Sequence, residues 1–166
     1  SRGVAGHATG PVVIVRGPSV VGYGRVVVGD DGSDDSEAAV TYAIDQARVR
    51  YLPLHVVFAW QMPIAPPLAA GYSMIIETVR EQDLRRAAER VAPWQEANPD
   101  VEIVGEQVAG HPADVLIRAG GTADLVVVGS RGLGGFASAV LGSISHAVLH
   151  HVTCPVAVVR PRTQKV

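Results

Sequence analysis

Residues 125–145 read LVVVGSRGLGGFASAVLGSIS, and this stretch decides the fold. Four apolar residues closed by Gly129 describe a short buried strand. A glycine-rich loop follows, and the Gly142-Ser143 pair then opens a helical run. Strand, glycine loop and helix start make an anion site: glycine lets backbone N–H groups approach a phosphate, and a helix N-terminus offers unpaired donors at the positive end of its dipole.

Other apolar runs alternate with helical stretches on both sides of this segment. RVVVG at 25–29 reads as a buried strand, and the Asp-Asp-Gly-Ser after it as a turn. Ser33 is placed to cap the next helix, with Asp34, Asp35 and Glu37 in its first turn and Val40, Ile44 and Ala47 on one face. A second strand is expected at 54–58 and a Pro- and Ala-rich loop at 61–71. A charged amphipathic helix is expected over 72–97, kinked or ended by Pro93. Alternation at 101–108 predicts a strand near an edge. His111-Pro112 opens a short helix, and strands at 125–129 and 156–160 flank the glycine loop and a helix over 143–151. Such alternation implies right-handed crossovers and a five-stranded parallel, doubly wound α/β sheet with helices on both faces. Ligands of such sheets sit beyond the strand C-terminal ends, where the strand order reverses. If the 25–29 and 125–129 strands are neighbours there, the Asp30-Asp31 turn faces the glycine loop across one cleft.

Composition narrows the class. A chain of 166 residues supports one ordinary core, and 48% hydrophobic content with 5% aromatics suits a Val-, Ala- and Leu-rich parallel sheet. The net charge of −2 gives no reason to expect nucleic acid or an anionic membrane as partner. Every acidic residue lies at or before Asp124, so the segment containing the glycine loop is basic, which suits an anionic ligand. Lone Cys154 excludes an internal disulfide and fits a reducing cytoplasm and a small core residue. No apolar run approaches the ~18 residues of a membrane span, and the N-terminus lacks Met and a signal-peptide pattern.

One repeat does not fit a single domain. PVVIVR at 11–16 closely copies PVAVVR at 155–160, and His7 and His151 each stand four residues before the proline. Residues 1–18 are therefore expected to be the terminal strand of a preceding homologous domain plus a linker, and 19–166 a complete domain.

Two common nucleotide motifs are excluded. A P-loop needs Gly-Lys-Ser/Thr, and the segment has none. Gly132 to Ala137 formally matches GxGxxA, but that fingerprint needs an acid about 20 residues on, and none follows Asp124. A third pattern remains: GxxG, nine residues, then Gly-Ser. Together with RVVVGDDGSDDS at 25–36, LHVVFAW at 54–60, AGHPADVLIRAG at 109–120 and the closing CPVAVVR, it resembles the universal stress protein family in its ATP-binding branch. Tandem members of that family match the duplicated strand, so the chain resembles the C-terminal half of one.

The resemblance implies an ATP-binding stress-response domain that senses or stores nucleotide and acts through conformation or dimerisation. It implies that Asp31 contacts the adenosine and that Val56 lines the adenine pocket. Gly129 and Gly132 would approach ribose and phosphates, and Gly142, Ser143 and Ile144 would meet phosphates at the helix start. Arg131, the only cation inside the loop, is the expected phosphate partner. Asp30 departs from the family's pattern, which has an apolar residue there. Asp30 and Asp31 are candidate ligands of a Mg or Mn ion bridging the phosphates. Partners would be the adenine nucleotide and another domain of the same family, in a homodimer or tandem pseudo-dimer. Two alternatives stand beside this reading: a dimerisation module with an incidental nucleotide cleft, because the last strand exposes an apolar edge, and a slow ATP hydrolase. No residue is placed as a catalytic nucleophile or base. His146 and His150, four apart with His151 adjacent, have a spacing open to a metal, but imidazoles there equally suit a helix C-terminus, and no metal site is expected.

Overall fold

Val26, Val27 and Val28 are consecutive, and none has exposed surface. Only a strand covered on both faces hides three successive side chains, so the sheet must be sandwiched between helices. The structure, a computed structural model, describes residues 12–14, 22–61, 72–132 and 141–161. In chain order these form β1 (Val12–Ile14), β2 (Val26–Gly29), α1 (Asp34–Arg50), β3 (Leu54–Trp60), α2 (Tyr72–Ala97), β4 (Ile103–Ala109), α3 (Pro112–Gly120), β5 (Leu125–Gly129), α4 (Ser143–His151) and β6 (Val156–Val159). The sheet order is β1-β6-β5-β2-β3-β4. Five strands run parallel, as the alternating pattern predicts, and β1 adds a sixth, antiparallel to β6. No helix among the described residues is long and apolar enough to cross a membrane.

Strand alternation divides the core into two layers. Val26, Val28, Leu54, Val56, Leu125 and Val127 face α1 and α2, while Val27, Val57, Val126 and Val128 face α3 and α4. Gly105 is where α2 comes closest to the sheet. A Cβ there would stand 2.6 Å from the Ala87 carbonyl oxygen, so helix and strand meet backbone to backbone. The helix runs through Pro93 to Ala97 instead of ending there. Pro93 has no N–H for the Glu89 carbonyl, so the helix gives up one internal hydrogen bond there, and Asn98 closes the end by donating its backbone N–H and side-chain amide to the Trp94 carbonyl.

Helix α1 starts as its sequence indicates. Ser33 is the N-cap, its hydroxyl accepting the Ser36 N–H, with three acids in the first turn. Asp30, at the end of β2, is buried and turns toward the helices. Its Oδ1 accepts from the Ser36 hydroxyl at 2.6 Å and the Gly32 N–H at 2.9 Å, and its Oδ2 accepts from Arg90 of α2 at 2.9 Å. The Arg90 guanidinium lies 4.0 Å from the centre of the Phe58 ring, a cation–π contact that fixes it over β3. An acid thus stands where the family pattern has an apolar side chain, because α2 brings a cation to it.

Replacing Asp30 by Ala should lower stability by about 2 kcal/mol, chiefly the cost of leaving the buried Ser36 hydroxyl without its acceptor. Chemical denaturation measures this, and an unchanged midpoint would show that the network contributes nothing. Cys154 is buried, its thiol donates to the Pro155 carbonyl at 3.4 Å, and burial pushes its pKa above the ordinary thiol value. At pH 8 it should therefore react with iodoacetamide only after denaturation, and rapid labelling of the native protein would contradict this placement.

Candidate functional site

Strands β2 and β5 are adjacent and parallel, with Val28 opposite Val127. From there the chain leaves β2 toward α1 and β5 toward α4, so the strand order reverses between them and a cleft opens beyond their C-terminal ends. The Asp30 N–H donates to the Val57 carbonyl and the Ser130 N–H to the Val159 carbonyl, which extends the ladder to the cleft floor.

The loop after β5 is held from three directions. Ser145 of α4 donates its hydroxyl to the Gly129 carbonyl at 2.6 Å, and the Gly142 N–H donates to the Ser130 carbonyl at 2.7 Å. From the opposite side, the Asp35 carboxylate accepts from the Ser130 hydroxyl at 2.8 Å and the Arg131 N–H at 2.9 Å. The glycines answer to close approach. A Cβ on Gly129 would lie 2.8 Å from the Asp35 backbone carbonyl, one on Gly132 would overlap Asp31 Oδ2, and one on Gly142 would press on Ser130 and Arg131 at 3.3 Å. Gly142 is the N-cap of α4 and supplies no side-chain cap, so no side chain of the cap residue covers the first-turn N–H groups.

The resulting cleft has a volume of about 550 Å³, within the range of small-ligand sites. It brings together Asp31, Gly129, Arg131, Gly132, Gly142, Ser143 and Ile144. Val56 is not among its lining residues. Register on β3 turns the Val56 side chain into the core beneath α1 and α2, where it is fully buried, and Val57 and Ala59 form the cleft wall instead. Leu116, Val128 and Leu141 complete an apolar side opposite the polar loop. Residues 133–140 of the glycine stretch and most of the expected 61–71 loop lie outside the described residues.

Three features of the site were missed in the sequence. Asp35 reads there as a helix-dipole partner, and nothing in the spacing indicates that it crosses to the β5 loop. Pro112 reads as the start of a short helix and nothing in the spacing singles out Leu116, yet both line the cleft. The Asp30 carboxylate, a candidate metal ligand by sequence, has both oxygens engaged by Ser36, Gly32 and Arg90. Among the described residues no group of three His, Cys, Asp or Glu side chains converges as a metal site would require.

Chemically the arrangement offers an anion the N-terminus of α4, the Ser143 hydroxyl and the Arg131 side chain, and offers a flat apolar group the Val57–Leu116 side. The Asp31 carboxylate, at the mouth, already accepts the Ser33 N–H at 3.0 Å and presents an acceptor to hydroxyl groups.

Comparison with known proteins agrees with this architecture. The chain is 39% identical over 160 residues to a universal stress protein of Mycolicibacterium smegmatis, covering 94% of this chain and 53% of that one. It spans about half the length of the curated relatives it matches. Among solved structures, a universal stress protein in complex with cAMP is 32% identical with a TM-score of 0.57, covering 84% of this chain and 98% of that one. UspA from Lactobacillus plantarum shares the fold at 20% identity with a TM-score of 0.66, over 84% of this chain and 99% of that one. The model of the universal stress protein family matches residues 22–160, and the chain belongs to that family.

Proposed function

We propose that this domain binds an adenine nucleotide, ATP in the first instance, and acts as a cytoplasmic stress-response regulator through conformation or domain association. The observation that carries this reading is the cleft itself, where the N-terminus of α4, Arg131 and Asp31 converge beside an apolar wall. The solved relative in complex with cAMP supports the adenine nucleotide class. Phosphates sit at Gly142, Ser143 and Ile144 with Arg131 beside them, Gly129 and Gly132 keep the approach open, and Asp31 meets the sugar. A Mg or Mn ion travelling with the phosphates has Asp31 as its protein ligand in this reading, because Asp30 is committed to Arg90. With one arginine as the cation of the loop and no general base assigned, the domain holds nucleotide rather than turning it over rapidly.

The second reading, association with another domain of the family, is favoured by the β1 register. Val12 pairs with Val158, Val13 with Ala157 and Ile14 with Val156. Aligning the copied sequences makes Val12 the equivalent of Val156, Val13 of Ala157 and Ile14 of Val158. The pairing is then that of two copies of one strand crossing about a two-fold axis at Ala157, as an isologous contact requires. Residues 1–18 in this proposal are the end of a preceding homologous domain, whose last strand covers the edge of β6.

Protein denatured after gentle purification should release a nucleotide, and stripped protein should bind ATP or cAMP in a titration. Gly142→Glu should abolish binding by placing a carboxylate at the helix N-terminus. Arg131→Ala should weaken it by about 1.5–3 kcal/mol, the worth of a hydrogen bond to a charged group. No released nucleotide, no binding of either ligand and an inert Gly142→Glu would together overturn the nucleotide reading. Deleting residues 1–18 should convert the protein to a dimer or an aggregate through the bared β6 edge, seen by light scattering after size exclusion. An unaltered monomer would count against the association reading.

A further inference from the structure

Asp35 stands in the first turn of α1, where an acid is ordinarily explained by the helix dipole. Its neighbour Asp34 fits that account, being exposed in the same turn. Asp35 is half-buried instead, and its Oδ1 takes two donors from the β5 loop, the Ser130 hydroxyl at 2.8 Å and the Arg131 N–H at 2.9 Å. That contact sets a negative charge beside a loop whose other groups suit an anion. By charge alone it opposes a phosphate, because like charges repel across a partly desolvated cleft. An acid that only steadied α1 would serve as well facing solvent.

What the contact contributes is geometry. Ser130 is 1% exposed, donates its N–H to the Val159 carbonyl and accepts the Gly142 N–H on its own carbonyl. With its hydroxyl held by Asp35, the residue that carries the N-cap of α4 is fixed from three sides. Arg131, next in the chain, is exposed and lines the cleft. Its N–H is tied to Asp35, so its side chain starts from a fixed backbone and loses less freedom on meeting a ligand. The clamp itself cannot drift. A Cβ on Gly129 would stand 2.8 Å from the Asp35 carbonyl, so α1 rests on β5 at this very residue. Neither Asp35 nor Ser130 is among the residues lining the cleft.

We infer that Asp35 is a positioning residue of the phosphate site, a role that rests on the nucleotide reading. Its carboxylate never meets the ligand, yet it raises affinity by aiming Arg131 and, through Ser130, the N-terminus of α4. The sign of the effect separates this role from a plain charge. Removing an acid that acts by charge alone tightens phosphate binding. Removing a positioning acid weakens it, although a repulsive charge has gone.

Calorimetric titration of the full chain, stripped of nucleotide, with ATP and with cAMP reads that sign. Asp35→Ala should bind at least about tenfold more weakly, the worth of one charge-assisted hydrogen bond no longer aimed. Asp35→Asn keeps an acceptor oxygen for both donors and should recover most of the loss. Asp34→Ala removes a first-turn charge that has no part in the loop, and should bind as the wild type does. In an Arg131→Ala background, Asp35→Ala should cost less than in the wild-type chain, since part of its effect runs through that side chain. Without ligand, the Arg131 amide should exchange its hydrogen faster in Asp35→Ala than in Asp35→Asn. The Tm of each variant confirms that it folds. Unchanged or tighter binding by Asp35→Ala, or an equal loss in Asp34→Ala, would overturn the role. So would the same penalty for Asp35→Ala with and without Arg131. A wild-type chain that binds neither ligand is a different failure, since it removes the nucleotide reading itself and this role with it.

Discussion

Gly129 has no room for a side chain, because the end of β5 lies directly against the first turn of α1. An added Cβ would stand 2.8 Å from the Asp35 carbonyl carbon and oxygen. That backbone contact brings the Asp35 carboxylate within reach of the Ser130 hydroxyl and the Arg131 N–H. It also leaves the Gly129 carbonyl pointing at Ser145, which pins α4 from the other side. Two helices are thus tied to one strand end by groups within a few residues of one another. Everything in the cleft depends on this junction: without it the loop would have no fixed path and the α4 N-terminus no fixed aim.

The junction also sorts the acids of the β2–α1 turn. Asp30 is consumed by Arg90 and Ser36, Asp35 by the β5 loop, and Asp31 lies across the mouth against Gly132. The four carboxylates of residues 30–35 (Asp30, Asp31, Asp34 and Asp35) would oppose any anion if all faced it. Asp30, Asp31 and Asp35 are each bound by donors of the protein, which lowers the repulsion an incoming phosphate would meet. The pair of buried Asp30 with exposed Arg90 has a structural task as well, since it couples α2 to the turn that carries Asp31. An ion pair with one partner in solvent brings little net stability, so its use is in fixing geometry.

The parallel core and the order of its elements were legible in the sequence, because valine runs, a Ser33 cap and a strand running through a glycine loop into a helix each mark one kind of element. Asp31, Gly129, Arg131, Gly132, Gly142, Ser143 and Ile144 could be singled out by spacing and resemblance, and they share one cleft. What was not legible depends on contacts distant in sequence. Val56 and Val57 are chemically alike, so only the strand register tells which faces the cleft. The role of Asp35 depends on a partner 96 residues away. The helix continues through Pro93 to an end that Asn98 closes, a contact that the proline itself does not announce. The place of 12–14 in the sheet was visible only as a copy, without the pairing that explains it.

That pairing follows from what an edge demands. Strand β6 is fully buried on both faces, with Val156 to Val159 all hidden, yet without β1 one side of its backbone would face solvent. A strand so apolar cannot be left as a bare edge, because unpaired N–H and C=O groups beside valine side chains invite any other strand to add on. A copy of the same strand is the best-matched cover, since two-fold crossing places equivalent residues beside one another and needs no further sequence adjustment. The opposite edge, β4, is managed differently: Glu106 on it carries charge and is engaged by Arg25 and His55. One edge is therefore guarded by charge, and the apolar strand β6 at the other is covered by β1.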